Sequence, residues 1–238
     1  MKILEFLAQS SHALPLGAIA AKFSASKPTV YRHLRSLLER GFVQQDPVSG
    51  RYEPGIKLVV IGEAARNRFN VVGAARDDLI AVRDATRQAV TVCALVQDEV
   101  VVLDLLQGRS VIEFGIRPGT RLDLRNSAHG KIWMAFGPPH LASMAERLPT
   151  PSGRPAGNLT AELSAIRSRG WATAPNQVVN GVNAMAAPIF DFANALVGSI
   201  AIVGATQFIP DEPSREQVDA ILGASRRISQ RLGWRKEK

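Results

Sequence analysis

The stretch from Leu16 to Tyr52 narrows the possible folds more than any other part of the chain. A short apolar segment, Leu16 to Phe23, meets a polar break at Ser24-Ala25-Ser26. A second segment then runs from Lys27 to Arg40. Its apolar residues Val30, Leu34, Leu37 and Leu38 stand at i, i+4, i+7 and i+8, which puts them on one helical stripe. Ser26 can cap that helix, Pro28 tolerates its first turn, and Gly41 suits the residue just past its end. Two short strands follow, Phe42–Gln44 and Arg51–Glu53, around the turn formers Asp46-Pro47-Val48-Ser49-Gly50. Helix, turn, helix and hairpin in that order predict a winged helix-turn-helix, a module that lays its second helix in the major groove of double-stranded DNA.

The residue types on the outer face suit that task. Opposite the apolar stripe stand Thr29, Arg32, Arg35 and Ser36, bordered by Tyr31 and His33, with Lys27 at the helix start. Arginine forks onto guanine O6 and N7, while Thr, Ser and Tyr reach bases or phosphates. Arg51, beside the hairpin tip, is placed for phosphate or minor-groove contact, or is an ordinary exposed strand charge. Taken alone, the helix could be a surface helix with a solvated basic face; the Ser-Ala-Ser turn and the hairpin favour DNA. Charge agrees. The chain carries a formal +8, and residues 1–68 hold 10 Lys/Arg against 5 Asp/Glu, so most of the excess sits at the basic N-terminal end.

The remaining chain reads as a second, α+β domain. Three units are expected: a DNA-binding domain over 1–54, a connecting helix over 55–69, and a ligand-binding and oligomerisation domain over 70–238. Helix one is expected over Met1–Ala13. Ile56, Val59, Val60 and Ala64 give the connecting helix an apolar face, suited to a dimer contact or to a plain core. Beyond it come a helix at Asn70–Arg87 and strands at Ala89–Gln97, Val100–Leu106 and Ser110–Ile116. Helices follow at Ser127–Phe136, Pro139–Leu148 and Ala161–Arg169, with a Pro/Gly-rich loop at Pro149–Asn158. The chain closes with strands at Trp171–Val178, Val182–Phe190 and Leu196–Val203 and a helix at Ser214–Leu232.

Chemistry-bearing residues are sparse. The single cysteine, Cys93, excludes an internal disulfide and a cysteine zinc site; it lies in an apolar strand and reads as a buried thiol. None of the four histidines pairs with another His or with Cys at metal spacing, and there is no nucleophile elbow, phosphate loop or dinucleotide fingerprint. No cofactor is expected. No apolar run reaches the ~18 residues of a membrane span, and a cytoplasmic, membrane-free protein is expected. A binding pocket is better supported than a catalytic one. Ser127, Ala128, His129 and Gly130 form a predicted helix N-terminus, where unpaired N–H groups and the helix dipole favour an anion. A helix cap packed against the core with nothing bound is the alternative at that point. An enzyme using the same pocket, or a DNA binder whose second domain only oligomerises, are the other readings.

The motifs resemble the IclR family of bacterial transcription regulators. The resemblance rests on Lys27-Pro28-Thr29-Val30-Tyr31-Arg32-His33-Leu34, on Asp46-Pro47-Val48-Ser49-Gly50-Arg51-Tyr52, on Ser127-Ala128-His129-Gly130-Lys131 and on Ala186-Ala187-Pro188-Ile189-Phe190-Asp191. It implies a GAF-like second domain that binds a small organic effector, and a homodimer or dimer of dimers on a pseudo-palindromic operator. It also implies which positions face the effector. Members that take small keto acids line the site with an Asp, a Cys and two Ser; those positions fall here on Ala174, Ala184, Ala201 and Val203. With the polar groups gone, the expected site keeps the helix N-terminus at Ser127–Gly130, with Trp133, Phe114 and Met185 as apolar walls. The departure points to one carboxylate on an aromatic or alicyclic body rather than to glyoxylate or pyruvate.

Overall fold

A computed structural model describes residues 2–68, 70–109, 116–147 and 158–235, with residues 65–68 and 70 described as backbone alone. The chain divides into two compact units, Met1–Phe69 and Asn70–Lys238. The fold class is the expected one, a winged helix-turn-helix followed by an α+β domain. Among the described residues no helix is long and apolar enough to cross a membrane.

The first unit holds helices α1 (Lys2–Gln9), α2 (Leu16–Lys22) and α3 (Lys27–Glu39), the hairpin β1 (Val43–Gln45) and β2 (Tyr52–Pro54), and α4 (Ile56–Arg68). Its core is Leu4, Leu7, Ile19, Ala20, Val30, Leu34, Val43 and Tyr52. Helix α1 stops at Gln9, short of the expected Ala13. Ser10 Oγ caps the helix by donating to Phe6 O at 2.9 Å, and Leu14 is drawn into a bridge with Tyr52. Leu14 also precedes Pro15, which disfavours helical backbone there. The hairpin strands lie one residue later than expected. Phe42 N–H donates to Leu37 O and Gly41 N–H to Leu38 O, both at 2.9 Å, with Gly41 at φ 73°. This Schellman closure spends Phe42 on ending α3, so pairing starts at Val43↔Pro54.

The second unit is one antiparallel sheet with helices on both faces. Its strands are β3 (Ala89–Val96), β4 (Glu99–Leu106), β5 (Arg121–Leu122), β6 (Ala172–Thr173), β7 (Val182–Phe190) and β8 (Leu196–Ala205), in the order β5-β4-β3-β8-β7-β6. Helices α5 (Asn70–Thr86) and α9 (Arg215–Arg231) cover one face, packing on Val90, Val92, Met185, Ile189, Ile200 and Ile202. Asp78 of α5 is buried and receives Arg227 at 2.6 Å and also Arg231, which locks the two helices together. Helix α6 (Ala128–Phe136) covers the other face, with α7 (His140–Glu146) and α8 (Leu159–Arg169) beside it.

Three expectations change here. The strand foreseen at Trp171–Val178 is only Ala172–Thr173, because Pro175 offers no N–H and Asn176, at φ 55°, turns the chain. Asn176 Oδ1 then accepts from Gly181 N–H at 2.7 Å and closes the loop. Strand β5, at the sheet edge, was not foreseen. The strand foreseen at Ser110–Ile116 lies outside the described residues, apart from Ile116, which is not in a strand; residues 149–157 of the expected loop also lie outside them. Asn158 belongs to the next helix as its cap, with Oδ1 accepting from Ala161 N–H at 3.1 Å.

Candidate functional sites: a nucleic-acid interface and a ligand cavity

In the first unit, the geometry of α3 follows from its caps. Ser26 Oγ accepts from Thr29 N–H at 3.4 Å and pairs with Thr29 Oγ1 at 2.9 Å. Val30 and Leu34 are buried, which turns the other side of the helix to solvent. Lys27, Thr29, Tyr31, Arg32, Arg35 and Ser36 are all exposed. Arg35 Nε lies 3.0 Å from Glu39 Oε1, an exposed i,i+4 pair worth at most about 1 kcal/mol, so it yields readily to a stronger partner. At the wing, Asp46 Oδ1 accepts from Val48 N–H at 3.0 Å, Ser49 N–H at 2.6 Å and Ser49 Oγ at 2.8 Å. The Ser49 bonds, with the one from Val48, hold the Asp46 carboxyl below the usual carboxylate range. This turn presents Val48 almost fully exposed, at 95%. Arg51 is exposed and its Nη1 donates to Ala13 O at 3.4 Å, tying the wing to the segment before α2. A rigid helix with a cationic outer face beside a stiff wing suits a duplex groove and its phosphates.

The second unit contains a cavity of about 530 Å³ between the start of α6 and the strands β3, β4, β7 and β8. Its lining is mainly apolar: Val102, Ile116, Leu122, Ala174, Val178, Val179, Val182, Ala184 and Val203 all contribute. Val178 and Val179 are also 60% and 55% exposed, so they sit at its mouth. The polar lining comes from Thr91, Thr120, Arg121, Asp123, Ser127, His129 and Asn183.

Most of these polar groups are already engaged. Ser127 caps α6: its Oγ accepts from Gly130 N–H at 2.9 Å and donates to Asp123 O at 2.6 Å. Asp123 Oδ1 accepts from Arg125 N–H at 2.8 Å and Asn126 N–H at 2.7 Å. Arg121 is paired with Glu99 at 3.0 Å. Asn183 accepts from Ala174 and Ala184 N–H through Oδ1, at 3.1 and 2.8 Å, and donates through Nδ2 to Ile209 O and Pro210 O, at 3.1 and 3.0 Å. The main-chain N–H groups of Ala128 and His129, in the first turn of α6, have no hydrogen-bond acceptor among the described residues. The imidazole of His129 is buried, with Nε2 2.8 Å from Thr91 Oγ1 and Nδ1 2.7 Å from Ser199 Oγ. Burial pushes its pKa down to about 3, so the ring is neutral near pH 7.

The sequence-derived effector set divides here. Ser127, Ala128, His129, Ala174, Ala184 and Val203 line the cavity together. Gly130, Trp133, Met185 and Ala201 do not. A Cβ on Gly130 would lie 2.1 Å from Leu124 O, so glycine lets α6 settle against the preceding turn. Trp133 lies one turn further along α6, buried in the core, where a Cβ on Gly137 would come 3.1 Å from its ring. Met185 follows Ala184 in β7, so it points through the opposite face of the sheet into the packing of α5 and α9. Ala201 is buried under α6 but away from the open space. Phe114 lies outside the described residues. Thr91, Arg121, Val178 and Val179 were not foreseen. Thr91 did carry a signal, as the one hydroxyl in an otherwise apolar strand.

Two neighbours of the cavity are structural. Lys131 is buried; its Nζ donates to Thr173 O at 3.0 Å and pairs with Glu162 at 2.6 Å, joining α6 to β6 and α8. Cys93 is buried and desolvation pushes its thiol well up, away from the reactive thiolate. Among the described residues no group of His, Cys, Asp and Glu is arranged to hold a metal ion.

Known proteins carry the same architecture. Residues 1–47 match the IclR helix-turn-helix domain, and residues 63–230 match the bacterial transcriptional regulator IclR C-terminal domain. A glycerol operon regulatory protein of Streptomyces griseus is 31% identical over 245 residues, covering 97% of this chain and 93% of that one. The crystal structure of Thermotoga maritima IclR is 28% identical with a TM-score of 0.76, covering 98% of this chain and 96% of that one. An IclR homologue from Microbacterium hydrocarbonoxydans, crystallised in complex with 4-hydroxybenzoate, shares the fold at a TM-score of 0.84 and 18% identity, covering 97% and 96%. With its helix-turn-helix and its α+β domain both matched in order, the chain belongs to the IclR family of DNA-binding transcription regulators.

Proposed function

We propose that a small organic acid with an aromatic or otherwise apolar body binds the second unit and changes the affinity of the winged units for an operator. The observation that carries this reading is the cavity: an apolar space of about 530 Å³, with two N–H groups on residues of its wall that are unpaired among the described residues. Such a site rewards one anionic head and a greasy body, through hydrogen bonds at a helix start and burial of apolar area. It offers a small keto acid little. Ala174, Ala184 and Val203 supply no polar side-chain group, and each unpaired ligand group would cost about 1–3 kcal/mol. That a homologue of the same fold was crystallised with 4-hydroxybenzoate supports an acid of this class.

The DNA-contacting set is Lys27, Thr29, Tyr31, Arg32, Arg35, Ser36 and Arg51, used by two heads on a pseudo-palindromic site. A second copy has a surface to use: on α4, Ile56, Val59, Val60 and Ile61 are 70%, 65%, 63% and 45% exposed. A homodimer, or a dimer of such dimers, would cover them. Light scattering should then give at least twice the 25.7 kDa of one chain, and a monomer at micromolar concentration would count against it.

The test is fluorescence anisotropy on DNA from the promoter region beside the protein's own coding sequence, with and without benzoate and 4-hydroxybenzoate. The expected coupling is about 1–3 kcal/mol, a shift in DNA affinity of roughly 5–150-fold in either direction. DNA binding unmoved by either acid, with no thermal shift, would favour a regulator whose second unit only assembles. Consumption of the acid would reveal an enzyme.

A further inference from the structure

The buried chain Thr91–His129–Ser199 has a direction, and that direction decides what the cavity offers a ligand. Any contact of this chain with a ligand rests on the ligand-binding reading just given. A neutral imidazole has one N–H and one lone pair, so two arrangements fit the contacts at Nε2 and Nδ1. In the first, Nδ1–H donates to Ser199 Oγ. The Ser199 hydroxyl proton is then left without an acceptor among the described residues, on a side chain with 0% exposure. In the second, the Ser199 hydroxyl donates to Nδ1, and Nε2–H donates to Thr91 Oγ1. One proton is again left over, but it is now the hydroxyl proton of Thr91, a residue on the cavity wall. A donor sealed in the core loses its hydration with nothing in return, whereas one facing a cavity can meet water or a ligand.

We infer that Ser199 fixes His129 as the Nε2–H tautomer, and that Thr91 thereby presents its hydroxyl proton to the cavity as a specificity-determining donor for an oxygen acceptor of the ligand. His129 and Ser199 are positioning residues; Thr91 touches the ligand. The position of Thr91 suits this role. On β3 it stands between Leu105 of β4 and Ala201 of β8, so no neighbouring strand residue competes for its proton. The depressed pKa of His129 is consistent with a ring that stays neutral while it does this. Thr91 then adds a hydroxyl donor to the N–H groups of Ala128 and His129 on the wall residues, a set that favours a carboxylate or a ring oxygen over an amine.

The test has two arms, both on the full chain. The first needs no ligand: long-range 1H–15N spectra of protein labelled at its four histidines, with the His129 signal identified by its loss in His129→Gln. The expected spectrum has Nε2 protonated and Nδ1 bare. A protonated Nδ1 would overturn the inference. The second arm is calorimetry with benzoate and 4-hydroxybenzoate. Thr91→Val should weaken binding about tenfold, and Thr91→Ser should restore it. A Thr91→Val protein that binds as the wild type does would overturn the role of Thr91. If the wild type binds neither acid, the proposed function fails and takes the ligand contact with it; the tautomer is still decided by the spectrum.

Discussion

The two faces of the six-stranded sheet are built from the same strands and from opposite kinds of side chain. Toward α5 and α9 the strands turn Val90, Val92, Met185, Ile189, Ile200 and Ile202, all of them fully buried. Toward α6 they turn Thr91, Ala184, Ala186, Ser199 and Ala201, and a cavity remains beside α6. Strand β8 shows the contrast residue by residue: Ser199, Ile200, Ala201, Ile202 alternate small and large. The packed face holds the domain together, while the small-residue face leaves room for something else. A protein interior packs nearly as densely as an organic crystal, so a void of this size does not arise from sequence drift without cost.

The comparison can be broken from either side. The largest effect belongs to the packed face. Ile202→Ala should cost about 2–5 kcal/mol, read as a lower midpoint in urea, since neighbours cannot collapse fully onto the gap. Acid comes next and tests the other face. His129 has its pKa lowered in the folded state from 6.5 to about 3, so the unfolded chain takes up a proton that the folded chain refuses. Its contribution is complete above the unfolded value and is lost as pH falls from there toward the folded one; between pH ~7.5 and ~5 the loss should be about 2 kcal/mol, and His129→Gln should flatten that slope. On DNA, Arg32→Ala or Arg35→Ala should cost about 1–3 kcal/mol on the operator and relax its specificity. Arg51→Ala should weaken all sequences alike and reduce the salt slope by about one. If both α3 variants bind as the wild type does, the groove assignment is wrong. The smallest expected change is the stability of Ala184→Leu. The added side chain enters open space rather than a filled core, so the cost should stay within about 1 kcal/mol even as ligand binding disappears.

The winged unit was largely legible in the sequence because its function sits on its surface. A helix with one apolar stripe must show its polar residues to solvent, so Arg32 and Arg35 could be placed from periodicity alone. What failed there was local: the end of α1 and the one-residue offset of the wing depend on Leu14 meeting Tyr52 and on Phe42 closing α3. The cavity was harder to read. Its wall gathers Thr91, His129 and Ala184, residues far apart in the chain that only the strand order brings together. One part could have been read and was not. Ala184 and Met185 are adjacent in the middle of a strand, so their side chains leave opposite faces of the sheet, and Met185 packs toward α5 and α9. Trp133 needed the three-dimensional packing of α6 to be excluded.

The central claim is that the small-residue face exists to hold an apolar acid. Calorimetry of the wild type and of Ala184→Leu against pyruvate, benzoate and 4-hydroxybenzoate tests it most directly. The account predicts that the wild type binds an aromatic acid and not pyruvate, and that Ala184→Leu binds neither while keeping its fold. Tight binding of pyruvate with no response to either aromatic acid, or aromatic-acid binding undiminished in Ala184→Leu, would contradict it.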